Sequence, residues 1–388
     1  MTRSYFDHNA TTPVAPEVLE AMLPLLRDGF GNASSIHHYG QKAKQELETA
    51  RERLAALMHA QPRDLVFLSG GTEADNLALF GVVRNSTRPR RHVITTAIEH
   101  PAVLGACAQL EREGVEVTRL PVSSAGLVDP DDVRRALRSD TVMVSVMHAN
   151  NELGTVQPVS EIARIAREAG AVVHSDGVQA LGKIPVDVEG LGVDLYSVTG
   201  HKIYAPKGEG ALWVRKDTPL RSVQFGGHHE RDRRPGTENV PGAVALGRAA
   251  QWFSENFAEE AGRVRALRDR LENGILARVP DCGVNGGEAP RTPNTSNMYF
   301  DGIRGEAMVI ALDLRGFAVS SGAACSSGAV EPSHVLVAIG LSPERARSSL
   351  RFSLGRLNDA AQVDALIEAV AETVRHLRRI APAGSAHA

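Results

Sequence analysis

An α/β fold with a mainly parallel sheet is what this sequence predicts, and three features predict it. Short β-rich runs alternate with helical patterns through the middle of the chain. The 388 residues, 43% of them hydrophobic, suffice for two or three domains with a large core. No window reaches 18 uninterrupted apolar residues, so the apolar segments are core elements rather than membrane spans. Seven runs qualify as strands: Val66 to Leu68, His92 to Thr96, Glu116 to Leu120, Val142 to Met147, Ala171 to His174, Leu195 to Val198 and Gly210 to Val214. Between several of them lie helices, at Glu73 to Val83, Pro101 to Glu113, Pro130 to Arg138 and Val159 to Ala169, the last with the stripe Ile162, Ile165, Ala166, Ala169. Such alternation builds a sheet covered on both faces. Functional residues in that architecture belong where strands end and loops begin.

The flanks read differently. Upstream, Gln41 to Met58 carries Leu47, Ala50, Leu54 and Leu57 at helical spacing; downstream, a long helix covers roughly Val240 to Leu276. After a turn region rich in Pro, Gly and Asn, Pro280 to Asn297, the pattern becomes α+β. It ends in a helix with the stripe Val363, Leu366, Ile367, Val370, Val374 and Leu377. The expected division is a large domain of residues 14–255 and a smaller one of 1–13 with 256–388. The tail PAGSAHA is small and polar and expected to fray.

Composition excludes several classes of function. With 43 Lys+Arg against 46 Asp+Glu the net charge is −3, and aromatics are 4%, so neither charge nor stacking surface argues for direct nucleic-acid binding. Three cysteines cannot staple a chain of this length, and the odd count leaves a free thiol. Together with a start that lacks an apolar signal segment, this gives an expectation of a soluble protein in a reducing, cytoplasmic compartment, without a membrane.

Five segments carry chemistry. Ser69-Gly70-Gly71-Thr72-Glu73 follows a strand and opens a helix; its glycines, unpaired N–H groups and the Thr72 hydroxyl suit a phosphate, while an ordinary turn capped by Thr72 is the alternative reading. Asp176, with Gln179 nearby, ends a buried strand, where a carboxylate needs a cation or else caps the next helix. Lys202, in Thr199-Gly200-His201-Lys202, follows another apolar strand; a lysine in a desolvated cleft becomes a neutral amine able to condense with an aldehyde. Together, a phosphate cradle, a carboxylate for a pyridinium nitrogen and a lysine on successive sheet loops are the parts of a pyridoxal phosphate site. Cys325 sits in Ser321-Gly-Ala-Ala-Cys-Ser-Ser-Gly328, a small-residue stretch that favours an accessible thiol, whereas Cys107 and Cys282 read as incidental. Last, Arg351 and Ser353 share one face of a strand, and a guanidinium there suits a substrate carboxylate.

In this order the residues resemble the cysteine desulfurases of the nitrogen-fixation and iron-sulfur-cluster type, within class V of the pyridoxal phosphate aminotransferases. The resemblance runs from Tyr5-Phe-Asp-His-Asn-Ala-Thr-Thr12 to about Asn358 and includes Glu99-His-Pro101, Ala149-Asn-Asn-Glu152, Gly200-His-Lys202 and Arg234-Pro-Gly-Thr-Glu-Asn239. It implies pyridoxal phosphate fold type I, with a seven-stranded large domain and a small domain carrying the cysteine loop. It makes Lys202 the Schiff-base lysine and Asp176 the partner of the ring nitrogen. Gln179 would bond the ring hydroxyl, with His100 stacked on the ring as a further catalytic group and Asn151 beside it. The phosphate would be held by Gly71, Thr72, Thr199, Gly200 and His201, joined by Thr237 from the neighbouring subunit of a homodimer. Arg351 and Asn151 would bind the carboxylate of L-cysteine. Cys325 would take the sulfur as a persulfide, leaving alanine, and pass it to an acceptor protein such as an iron-sulfur scaffold. No resident metal is implied, although Cys325 could transiently ligate a cluster.

Three positions depart from the family pattern: Thr199 where Ser is usual, Ala205 for Gly, and Ala33 for Pro. The first retains the hydroxyl and the others alter loop stiffness. The end of the chain does not match the scaffold-docking segment of housekeeping members, so the acceptor is open. Selenocysteine lyase or another pyridoxal phosphate lyase is the alternative within enzymes, and a catalytically idle sulfur-transfer docking subunit the alternative outside them.

Overall fold

Strands that are buried from end to end need helices on both faces, and the arrangement of the chain supplies them. The computed structural model describes residues 3–321 and 331–380. Seven strands form one sheet in the spatial order Leu65–Leu68, Gly210–Val214, Leu195–Thr199, Val172–Asp176, Thr141–Ser145, His92–Thr96, Glu116–Leu120. All neighbours are parallel except Gly210–Val214, which runs antiparallel to both its partners. One strand thus turns back between two that point the same way, and every other strand ends on one edge of the sheet.

Two strands reach further than their apolar runs suggest. The strand expected to end at His174 continues to Asp176, and the one expected to end at Val198 includes Thr199, because ladder bonding carries polar residues to the edge where the chain needs them. The turn region expected from Pro280 to Asn297 instead contains a strand, Cys282–Val284, and the start of another, Thr295–Phe300. These pair with Ser349–Ser353 in an antiparallel three-stranded sheet. The turn-forming tendency of the asparagines is overridden by cross-strand bonding: Asn285 Nδ2 donates to Asn297 Oδ1 at 2.7 Å and to Ser349 Oγ at 3.0 Å.

The 39-residue helix Val240–Arg278 runs across both packed regions. Its first half, through Phe253, packs in the core beneath the large sheet, with Leu54, Tyr196 and Trp213. Its second half, from Val264, packs in a separate core with Phe300, Phe352, Leu366 and Phe6. Phe6 lies far from these partners in sequence, and backbone bonds fix it there: Phe6 N donates to Ala318 O and Ser353 N to Phe6 O, both at 2.8 Å. Among the described residues no helix is long and apolar enough to cross a membrane.

Helices Val240–Arg278 and His38–Leu57 approach so closely that a Cβ on Gly247 would lie 2.6 Å from Ala50 Cα and 2.8 Å from Ala50 O. In an exposed helix Gly→Ala stabilises by about 1 kcal/mol. Here Gly247→Ala is expected to lower the unfolding free energy by ~1–3 kcal/mol, because backbone atoms cannot step aside; urea denaturation checks the sign.

Candidate active site

The shared strand edge gathers the loops that carry the chemistry around one cavity of about 370 Å³. After Leu65–Leu68, the helix Gly71–Val83 begins with Gly70 as its cap residue and no capping side chain, so its first N–H groups stay available to an anion. Glu73 Oε2 instead reaches back to Ser69 N at 2.6 Å and fixes the turn. A Cβ on Gly71 would come within 2.7 Å of Val178 Cγ2; glycine is what lets this helix start abut the loop after Asp176.

His100, after His92–Thr96, caps the helix Pro101–Arg112. Its Nδ1 accepts from Ala102 N at 3.1 Å, so the neutral ring carries its proton on Nε2. Burial holds the ring below the usual imidazole range, opposed by the Asp176 charge. Asp176 ends its strand and accepts from Val178 N at 2.9 Å; no helix follows, only a turn. Burial raises its carboxyl, while His100 and Lys202 draw it down. Asp75, on the inner face of the helix Gly71–Val83, lies 1% exposed beside them and is pushed well above the usual carboxylate range by burial and by Asp176. Polar atoms of Asp75, His100 and Asp176 lie within 4.8 Å of one another. A positive charge entering over Asp176 would offset the cost of burying these carboxylates.

Lys202, in the short turn after Leu195–Thr199, gives its ammonium to Asn9 O and Ala10 O, both at 2.6 Å. Burial first, then Arg351, lowers its pKa to about 8, with Asp7 and Asp176 opposing. Gln179 Nε2 also donates to Asn9 O, at 3.0 Å, and its Oε1 accepts from Lys183. His201, which burial and Lys202 lower to about 4, is a neutral ring with Nδ1 3.2 Å from Thr11 Oγ1. Across the cavity, Arg351 projects from Ser349–Ser353; its Nη1 donates to Asn151 O at 3.0 Å and its Nη2 to Asp7 Oδ1 at 2.7 Å.

Gly71, Thr72, His100, Asn151, Asp176, Gln179, Thr199, His201, Lys202 and Arg351 all line this cavity. Gly200 does not: its N–H is given to Glu209 O at 2.9 Å. Thr237 is exposed in the segment before the long helix, away from the cavity of its own chain, and Cys325 lies outside the described residues. The sequence reading assigned no role to Asn9, Asp75 or Asp7. The N-terminal run Tyr5 to Thr12 holds Asp7 and Asn9, far in sequence from everything it touches, while Asp75 lies one turn into the helix that opens at Gly71. A ring with a phosphate, a cationic nitrogen and an aldehyde fits what is present: an uncapped helix start, a buried carboxylate and a lysine of lowered pKa in one cavity, as pyridoxal phosphate requires.

Comparison with known proteins agrees with this geometry. Residues 4–366 match the family model described as aminotransferase class V. The chain is 47% identical over 382 residues to a cysteine desulfurase of Trichormus azollae, covering 98% of this chain and 95% of the other. The solved structure of a NifS-like protein superposes with a TM-score of 0.91 at 36% identity, covering 97% of this chain and 100% of that one. The structure of SspA in complex with cysteine gives a TM-score of 0.82 at 37% identity, covering 91% and 99%.

Lys202 also carries a stability signature. Its folded pKa is below the ordinary lysine value of 10.5, so the unfolded chain binds the proton more tightly and stability rises as pH climbs from about 8 to 10.5. In protein stripped of bound small molecules, Lys202→Met is expected to flatten that rise, read by urea denaturation at pH 7.5 and pH 10.

Proposed function

The chain belongs to the class-V aminotransferase family, and from that premise we propose that it is a pyridoxal phosphate-dependent cysteine desulfurase, converting L-cysteine to L-alanine and handing the sulfur on. The observation that carries this reading is one cavity bounded by an uncapped helix start, Asp176, Lys202 and Arg351. Pyridoxal phosphate, when bound, supplies a cationic ring that withdraws electrons from the substrate Cα.

Each residue then has a task. Gly71 N–H, Thr72, Thr199 and His201 would hold the phosphate, Asp176 would keep the ring nitrogen protonated, Gln179 would bond the ring hydroxyl, and His100 would pack on the ring. Lys202 would be the residue that anchors the cofactor, and its amine would take the proton from the substrate Cα. In the free chain burial lowers its pKa to about 8, so losing its proton costs less than for an exposed lysine. Arg351 and Asn151 hold the carboxylate. The Cys325 thiolate attacks the substrate sulfur: a sulfur–sulfur bond forms, the carbon–sulfur bond breaks with its electrons going to carbon, and a proton completes alanine. The persulfide on Cys325 then passes to an acceptor protein, for iron-sulfur cluster assembly or other thio-cofactor synthesis.

The same reading divides the chain into a cofactor domain, 14–255, and a small domain of 1–13 with 256–388; Phe253 and Val264 in separate cores support it. It takes the protein to be a homodimer in which the exposed Thr237 completes the phosphate site of the neighbouring subunit. A thiolate nucleophile works in a reducing compartment, and the same reading takes the protein to be cytoplasmic.

Incubation of the purified protein with L-cysteine is expected to give alanine, and mass spectrometry one added sulfur on Cys325. An absorbance band near roughly 420 nm should be abolished in Lys202→Ala. Alanine without sulfur on Cys325 would sink the nucleophile assignment. Selenium release by Cys325→Ala that no longer releases sulfur would move the protein to the selenocysteine lyases, and neither activity would leave a docking subunit.

A further inference from the structure

The guanidinium assigned to the substrate carboxylate already faces a carboxylate of this chain. Arg351 is 6% exposed in its side chain and Asp7 20%, and their contact is 2.7 Å. Arg351 Nη1 is engaged with Asn151 O, while its Nε is buried without a partner among the described residues. An incoming carboxylate gains most from two parallel N–H bonds on one guanidinium edge. The Nη2–Nε edge has its Nε free and its Nη2 committed to Asp7. Asp7 is held against Arg351 by backbone: it bridges to Ser353 in the strand that carries Arg351.

We propose that Asp7 is the resident counter-ion of Arg351, a placeholder that the substrate carboxylate displaces. Asp7 is a positioning and specificity-setting residue: it keeps the guanidinium paired while the site is empty, when an unpaired buried cation would be costly. It also makes every carboxylate compete for the fork. A ligand that binds only through a carboxylate pays that competition in full, whereas an amino acid recovers it through its amine at the cofactor. This inference rests on Arg351 as the carboxylate site.

The test uses Asp7→Asn, which keeps an oxygen acceptor for Nη2 and removes the charge, with 3,3,3-trifluoropropionate as a carboxylate that has no amine. Its binding to the holoenzyme and to protein stripped of cofactor is followed by ¹⁹F NMR. Asp7→Asn is expected to tighten binding about fivefold, the scale of a part-buried ion pair. Unchanged or weaker binding in Asp7→Asn overturns the placeholder, as a merely structural strut would give. Arg351→Lys separates the two levels: if it leaves trifluoropropionate affinity unchanged, the Arg351 reading itself falls. If it weakens binding at least tenfold while Asp7→Asn does not tighten it, only the present inference falls.

Discussion

Asn9 is the point on which the cleft depends. It is 2% exposed, and its backbone N donates to Ser353 Oγ at 2.9 Å while its carbonyl accepts from Lys202 and Gln179. Its side-chain amide donates to Asn151 O at 3.0 Å and Thr295 Oγ1 at 2.8 Å, and its Oδ1 accepts from Lys183 at 3.1 Å and Asn294 at 2.9 Å. One residue near the start of the chain thereby joins the loops of the large sheet to the strands of the small one. A buried amide that uses all its bonding capacity has few alternative positions, since each lost partner leaves a polar group unsatisfied. The relative placement of Lys202, Asn151 and Arg351 is fixed through it.

Charge in the cavity is balanced on the same economy. Burial raises the carboxyls of Asp75 and Asp176 and lowers Lys202 to about 8. Desolvation thus works against the charged form of groups of both signs, a cost that a cationic ring nitrogen beside Asp176 would offset. His174 shows the structural side of this economy. Its Nδ1 meets Ser145 Oγ and its Nε2 meets Ser197 Oγ, both at 2.9 Å, and burial lowers it to about 3, so a neutral ring supports the strand beneath Asp176.

Much of this was legible in the residues. The alternating apolar runs gave the seven strands, and polar residues directly after them gave Gly71, Thr72, Asp176 and Lys202, because in such a sheet the strand ends converge. Gly200 does not line the cavity, its N–H serving the turn through Glu209 O, and the strand Cys282–Val284 lies inside a region read as turns. In both cases the deciding partner lies in another segment, so no local propensity reports it. Asp7 and Asn9 were in view as part of a motif, yet their partners stand up to 344 residues away.

By itself, then, the sequence determined which residue types meet at the strand ends, since apolar periodicity and chain direction are local properties that the sheet converts into a shared edge. Only the tertiary structure decided that Arg351 rests on Asp7, that Asp75 is sealed beside Asp176, and that Asn9 gathers both sheets. Those pairings follow from long-range closure of the chain, and their energies come from desolvation, which no residue experiences until the fold encloses it.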